Sequence, residues 1–367
     1  MKVLQVGMTE NIGGMETYLI EQYRNLDRNI LSYDFVNITA DRPMVFATEI
    51  LKRGDKVYTL CRRSKNPLKH YWEWYKLLRQ YGKEYDAITL NACHLYYVFP
   101  LVLAKLMGIK KRVMHSHNAG EETKSGWLRR LLVAINKKLM FWAATDLWAC
   151  SRTAGIWMFG KRSFTVVHNA IDMQKFFYKP DIRNVKRQEM GLTNKFVCGH
   201  IGRFSYQKNQ QFLIDIFAEI IKFEPQAELL LIGGTIGKDK YLQQIYDKVK
   251  VLKIQDKVHF LGLRQDVADL LQVMDCFILP SYFEGLPLVG IEAQTAGLPC
   301  YFSDTITEEL RITVLAHYLP LNSPGLWAKK IIKKRNLIRL NMKKNLINTD
   351  YDIHAEVKKV ECLYRNK

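Results

Sequence analysis

The chain has 367 residues, 48% of them hydrophobic and 25% charged, with a formal net charge of +19. That length favours two domains over one, and the composition excludes a disordered or fibrous chain. The charge asks for an anionic partner (nucleic acid, an anionic membrane face or a phosphorylated substrate), and it is uneven: residues 1–180 hold 28 Lys+Arg against 15 Asp+Glu, a balance of +13, and residues 181–367 hold 27 against 21, a balance of +6.

Seven cysteines, Cys61, Cys93, Cys150, Cys198, Cys276, Cys300 and Cys362, are scattered without a Cys-x-x-Cys pair. An odd, scattered set in mostly apolar runs reads as reduced thiols in a reducing compartment. Residues 1–7 are too short and too interrupted for a signal peptide. No uninterrupted apolar run reaches the roughly 18 residues of a spanning helix. The closest, 95–109, is broken by Pro100 and Lys105 and reads as a buried helix. A cytoplasmic location follows as the expectation.

Residues 2–7 read as a first strand, leading to a turn at Gly13-Gly14 and a helix from Met15. The two glycines admit positive φ and close approach of a ligand; the plain alternative is a tight turn. The turn is not Gly-x-Gly-x-x-Gly, so a dinucleotide site is not supported. Further strands are predicted at 33–38, 57–60, 87–90 and 112–116, alternating with helical patterns. Such alternation implies a parallel sheet covered by helices on both faces, with ligands beyond the carboxyl ends of the strands. His115 and His117 close the last of these strands, one of them placed to project toward a ligand. Without carboxylate or Cys partners nearby they are a weak metal signal, and no metal site is expected.

Two stretches mix basic and aromatic residues. Residues 62–83 interleave seven Lys or Arg with Tyr71, Trp72, Trp74 and Tyr75. Residues 127–142 place Arg129, Arg130, Lys137 and Lys138 among apolar residues at helical spacing. Their apolar faces are expected to pack on their own sheet. The basic and Trp content adds a second reading, peripheral contact with an anionic membrane. Residues 146–151 and 165–172 close a first domain, 1–172, and a linker is expected within 173–189.

The second domain, 173–345, opens with a strand at 196–201. Arg203 follows its end and Lys208 starts the next helix, predicted over 211–223. Two fixed cations there can clamp a diphosphate. Strands follow at 229–232 and 258–261, with Leu263 expected near a nucleotide base. Then comes Cys276-Phe277-Ile278-Leu279, a buried strand, a loop carrying Glu284, and a helix over 288–295 carrying Glu292. Amides at Gly285, Leu286, Leu288 and Val289, around the helix start, can hold an anion. Two carboxylates bracketing such amides can hold sugar or ribose hydroxyls. The combination suits a nucleotide sugar. The basic stretch 327–344 reads as a solvated helix face, and a last helix spans 353–364.

The string from Glu284 through Glu292-Ala293 to Gly297-Leu298-Pro299 resembles the signature of retaining GT-B glycosyltransferases, glycosyltransferase family 4. The His-Ser-His-Asn string at 115–118 and the basic first domain most resemble the members that build bacterial capsule and exopolysaccharide. The resemblance implies two Rossmann-like domains with parallel sheets facing a central cleft, and residues 346–367 crossing back to the first domain. It implies that Arg203 and Lys208 grip the donor diphosphate, that Glu284 holds donor-sugar hydroxyls and Glu292 the ribose. It further implies that Gly13 and Gly14 lie near the donor phosphates, and that His117, with His115 as the alternative, contacts the sugar or steadies charge at its anomeric carbon. No cofactor is expected beyond a nucleotide sugar, UDP-linked, as co-substrate, and the acceptor is a glycan, lipid-linked. Asp350-Tyr351-Asp352 copies the Asp-x-Asp of metal-dependent transferases but follows a polar helix, and reads as a decoy. Two rivals stand beside this reading: a sugar-nucleotide epimerase or hydrolase on the same scaffold, and a basic nucleic-acid-binding protein, which leaves the glutamate pair unexplained.

Overall fold

The computed structural model describes residues 1–39, 42–121, 126–235 and 240–365. The chain divides into two compact units, one of Met1–Ile171 with Asn348–Lys367 and the other of Asp172–Ile347.

The first unit holds seven parallel strands: β1 (Lys2–Val6), β2 (Ser32–Asn37), β3 (Val57–Thr59), β4 (Ala87–Ala92), β5 (Lys111–Ser116), β6 (Asp146–Ala149) and β7 (Thr165–Val166), in the order β3-β2-β1-β4-β5-β6-β7. Val3, Leu4, Ile88, Leu90, Val113 and Met114 are all buried. Central strands that are apolar on both sides require helices on both faces. The order reverses between β1 and β4, so these two strand ends open the crevice where a ligand of this sheet type sits. The helix Ile353–Arg365 belongs to this unit and docks on it through a polar network: Tyr18 Oη donates to Glu356 at 2.5 Å, and Gln5 Nε2 to Tyr364 Oη at 3.3 Å.

The second unit holds six parallel strands: β8 (Phe196–Ile201), β9 (Ala227–Ile232), β10 (Val258–Gly262), β11 (Cys276–Leu279), β12 (Cys300–Ser303) and β13 (Ala316–Leu319), in the order β10-β9-β8-β11-β12-β13. Here the reversal lies between β8 and β11. The helices Gln210–Phe223 and Pro324–Lys333 pack on its core, where Leu213, Phe217, Trp327 and Ile331 are fully buried. Cys198, Cys276 and Cys300 line adjacent strands of this core as free thiols, and burial holds the last two thiols well above the usual range.

Four sequence expectations change. The stretch 173–189 is not a linker: Met173–Phe176 and Pro180–Glu189 are helices of the second unit. Arg183 and Arg187 tie the longer one down, donating to the carbonyls of residues 272–274 and pairing with Asp275. Proline at a helix start is compatible with a helix, and the charges serve its ties. The basic stretch 327–344 is solvated only in part, because Trp327 and Ile331 enter the core and the half-buried Arg339 donates to the Leu271 and Gln272 carbonyls. The left-handed glycine at the first strand turn is Gly7, with φ of 125°, and not Gly13, whose φ of −136° is extended backbone. A Cβ on Gly7 would lie 2.2 Å from the Asn91 carbonyl oxygen, so β1 and β4 meet only because that side chain is missing. Finally, the helix Trp127–Ala143 does not bury its apolar face on the sheet: only Asn136, Met140 and Ala143 are buried.

Candidate functional site

In the second unit, two loops leave the sheet side by side at the reversal point. One follows β8 and carries Gly202, Arg203 and Lys208; the other follows β11 and carries Glu284. The loops are stitched together. Tyr282 N donates to Gln207 O at 2.9 Å, Gln207 Nε2 donates to Phe283 O at 2.9 Å and reaches Glu284 at 3.3 Å, and Tyr206 stacks on Tyr282 with ring centroids 4.7 Å apart.

At the junction Lys208 Nζ lies 2.7 Å from Glu284 Oε1, with the two side chains 15% and 8% exposed. The sequence reading gave these residues separate ligands, and the structure brings them into one ion pair. A buried pair such as this holds two charges ready in a low-dielectric setting. Arg203 is exposed on the first loop. Glu292 is buried at 6% exposure inside the helix Leu288–Thr295, whose first turn contains Leu288 and Val289. Gly285 and Leu286 are buried in the approach to that helix, and its first amides have no partner within the helix. Leu263, 72% exposed, lies over Gly234 in the turn after β9.

Sequence reasoning passed over the residues that brace this site. His200, at the end of β8, accepts no proton readily: burial lowers its pKa to about 4. Its Nδ1 lies 2.9 Å from Ile278 O and its Nε2 lies 3.1 Å from Gln210 Nε2, which also donates to Arg203 O at 2.9 Å. The glutamine amide therefore faces the Nε2 lone pair, and Nδ1 carries the proton. His200, Gln210 and Gln207 together fix the loop that presents Arg203 and Lys208. The only signal in the sequence is polarity at a strand end, which names no role.

In the first unit, Gly13 and Gly14 start the helix Gly14–Asn25, and His117 follows β5. Burial lowers the His117 pKa to about 3 against a weak opposing pull from Asn169. Its Nε2 lies 3.1 Å from Asn91 Oδ1, and Asn91 Nδ2 donates to Gln5 at 2.9 Å, so His117 donates from Nε2. A neutral ring acts through hydrogen bonds and its lone pair rather than through a full charge. Nδ1 is left as the ring's second hydrogen-bonding atom. His115 sits 4.0 Å from it, ring centre to ring centre, and is enclosed by Tyr18 and Trp148. Asp352 of the Asp-x-Asp string caps the last helix, accepting from Asn348 N and His354 N, and Asp350 pairs with Lys359. Among the described residues no cluster of His, Cys, Asp and Glu is arranged to hold a metal ion.

Residues 195–333, which contain the second unit's candidates from Arg203 to Glu292, match the family model Glycosyl transferases group 1. The chain is 29% identical over 374 residues to EpsF of Bacillus subtilis, classed as a glycosyltransferase, with 97% of this chain and 94% of that protein covered. It is 24% identical over 318 residues to the Escherichia coli UDP-Gal:alpha-D-GlcNAc-diphosphoundecaprenol alpha-1,3-galactosyltransferase, covering 83% and 79% of the two chains. Anabaena HepE, solved with UDP and glucose, superposes with a TM-score of 0.76 at 21% identity over 99% of this chain and 95% of that one. WaaG, a glycosyltransferase involved in lipopolysaccharide biosynthesis, gives 0.72 at 16% identity over the full length of both. The fold is GT-B. Gly13 and Gly14 follow β1 at the first sheet's reversal point and His117 follows the neighbouring β5, while Arg203, Lys208 and Glu284 follow β8 and β11 at the second sheet's reversal point and Leu263 follows the edge strand β10.

Proposed function

We propose that the protein is a metal-independent, retaining glycosyltransferase that moves a sugar from a UDP-linked donor to a lipid-linked glycan in cell-surface polysaccharide synthesis. The observation that carries the reading is the Lys208–Glu284 pair at the reversal point of the second sheet, inside the segment that matches the family model. UDP bound to HepE and the UDP-Gal donor and diphosphoundecaprenol acceptor in the name of the E. coli relative support the choice of nucleotide and acceptor.

In this reading Arg203 and Lys208 take the donor diphosphate, with the amides of Gly285, Leu286, Leu288 and Val289 sharing its charge. Glu284 keeps Lys208 oriented in the free protein and accepts hydroxyls of the donor sugar when it binds. Glu292 takes the ribose, and Leu263 covers the base. The bond from the anomeric carbon to the phosphate oxygen breaks, and the bond to the acceptor oxygen forms on the same face. The leaving phosphate takes the acceptor proton, so no protein base is needed. Gly13 and Gly14 leave backbone room near phosphate, and neutral His117 hydrogen-bonds a sugar hydroxyl through Nδ1.

The test is a donor screen by thermal shift, followed by transfer assays with the best donor. UDP-sugars should raise the melting temperature, transfer should survive chelator, and NMR should show the anomeric configuration kept. UDP release at equal rate without acceptor would point to a hydrolase; tight, sequence-selective duplex binding would point to nucleic acid.

A further inference from the structure

Five side chains of the first unit join in one buried hydrogen-bonded line: His117 after β5, Asn91 and Thr89 on β4, Gln5 on β1 and Tyr364 on the last helix. None is more than 8% exposed, so bulk water does not compete for their polar atoms. His117 Nε2 lies 3.1 Å from Asn91 Oδ1, and Asn91 Nδ2 lies 2.9 Å from Gln5 Oε1. Gln5 Nε2 lies 3.3 Å from Tyr364 Oη, which lies 2.5 Å from Thr89 Oγ1.

Such a line has a direction, and one atom sets it. Asn91 Nδ2 also donates to the Val6 carbonyl at 3.2 Å. A carbonyl only accepts, so the Asn91 amide cannot turn over without setting its own oxygen against that carbonyl. Its Oδ1 therefore faces His117, and His117 Nε2 must carry the proton. Gln5 Oε1 must then accept from Asn91, which leaves the Gln5 amide nitrogen to donate to Tyr364 Oη. Tyr364 and Thr89 close the line hydroxyl to hydroxyl. From His117 to Tyr364 every N–H points toward the last helix.

That helix reaches the ring by a second route. Glu356 accepts from Tyr18 Oη at 2.5 Å, and the Tyr18 ring lies 5.9 Å from the His117 ring, centre to centre. The strands come close enough for the line because of Gly7, where a Cβ would lie 3.0 Å from Asn91 Cβ. Asn169 acts against the line only by favouring a second proton on the ring, and burial wins that contest.

We propose that Asn91, Gln5 and Tyr364 are positioning residues that hold His117 as its Nε2–H tautomer, with the last helix as the far anchor of the line. The ring then offers Nδ1 as a lone pair. Whatever meets it must donate a hydrogen bond, which admits a hydroxyl or an amide N–H and rejects a phosphate or carboxylate oxygen. The tautomer is a property of the free protein; only the identification of that donor as a substrate hydroxyl rests on the transfer reading.

The experiment is long-range proton–nitrogen correlation NMR of the full-length protein with isotope-labelled histidine, which tells the two nitrogens of each ring apart. The His117 signals are identified by their loss in His117→Gln. The parent should show the proton on Nε2. Asn91→Ala should add the Nδ1–H form and shift both nitrogens toward averaged positions. Tyr364→Phe keeps the ring and removes the hydroxyl, and should shift them the same way by less, because Val6 still holds the asparagine. Thr89→Val is the control: it removes a buried hydroxyl beyond the line, so it should lower the melting temperature and leave the His117 nitrogens and kcat as in the parent. In transfer assays Asn91→Ala should lose about tenfold in kcat and Tyr364→Phe about threefold, one buried hydrogen bond being worth about two- to tenfold, with UDP binding in calorimetry unchanged. If Tyr364→Phe fails to fold, Gln5→Leu interrupts the line one step nearer the ring and takes its place. The proposal is overturned if the parent shows the Nδ1–H form, or if Asn91→Ala leaves the His117 nitrogens unmoved. It is equally overturned if Thr89→Val shifts them as far as Tyr364→Phe does, since the helix would then act through stability alone. Parent-like transfer by His117→Gln, with the tautomers as expected, would sink the transfer reading of this ring and not the line.

Discussion

Lys208 and Glu284 form an ion pair at 2.7 Å, nearly out of water. Removing one member leaves the other buried and uncompensated, which costs about 3–5 kcal/mol when a pair is fully enclosed and somewhat less here. Lys208→Ala is therefore expected to lower the melting temperature as well as activity, and Glu284→Gln to keep more of the fold because the amide still fits the site. In transfer assays Glu284→Gln should lose about 2–4 kcal/mol of transition-state stabilisation. The double variant should be less unstable than the sum of the singles, since the stranded charge is gone. Thermal melts of the four proteins read the coupling directly, and strict additivity would show that the pair is not an energetic unit. His117 and His200 give a second prediction. Their folded pKa values of about 3 and about 4 lie below the ordinary 6.5. The unfolded chain thus binds protons that the folded one refuses, and stability from these groups is complete above 6.5 and is lost as pH falls toward 3. Neither ring should titrate between pH 5 and 8 when followed by NMR.

At the scale of single elements, the helix Ile353–Arg365 depends on a carboxyl that is held neutral. Glu356 is enclosed, its pKa raised by burial from the ordinary 4.5 to about 8, with Tyr18 and Gln22 as its partners at 2.5 and 3.0 Å. A raised folded pKa stabilises fully below the unfolded value, and that stability is lost as pH climbs from about 4.5 to 8. Glu356→Gln keeps an acceptor and a donor without the charge. Its melting temperature relative to the parent should rise steadily between pH 5 and 8; a flat difference would place the charge of Glu356 in contact with water. Elements of this kind also show what a sequence can tell. The strands were legible because buried parallel strands are continuous apolar runs, and Val113-Met114 or Leu229-Leu230-Leu231 can hardly be anything else. Candidate residues at 203, 208 and 284 were legible because cations and a carboxylate fall where strands end. That Lys208 touches Glu284, 76 positions away, was not, because local pattern carries no information on which loops adjoin. The Trp127–Ala143 helix misled for a related reason: its periodicity showed an apolar stripe, but the buried side turned out to be the small polar-and-Met side. Amphipathicity says that a stripe seeks a partner and does not say which one.

For the whole molecule, the path of the chain makes the two units unequal. The second is one continuous segment, Asp172–Ile347, while the first is closed by the returning Asn348–Lys367. Within the first unit Ile353, Val357, Val360 and Tyr364 are all 3% exposed or less. Each such side chain contributes about 1.5–3 kcal/mol by leaving water. Together with the hydrogen bonds of Tyr18, Gln5 and Thr89 to this helix, their loss matches the whole stability of a typical domain, about 5–15 kcal/mol. None of these residues belongs to the core of the second unit, which is built around Phe217, Leu229 and Trp327. A chain ending at Ile347 is therefore expected to lose the first unit and keep the second. Limited proteolysis should digest residues 1–171 and spare a fragment near 172–347, and near-ultraviolet circular dichroism should fall only in part. If the nucleotide reading is right, that truncated chain should still bind UDP in calorimetry, because Arg203, Lys208 and Glu292 all lie in the surviving unit, while transfer disappears. A truncated chain that melts as the parent does would refute the structural half of this argument, and one that keeps an intact second unit yet binds no UDP would refute the functional half.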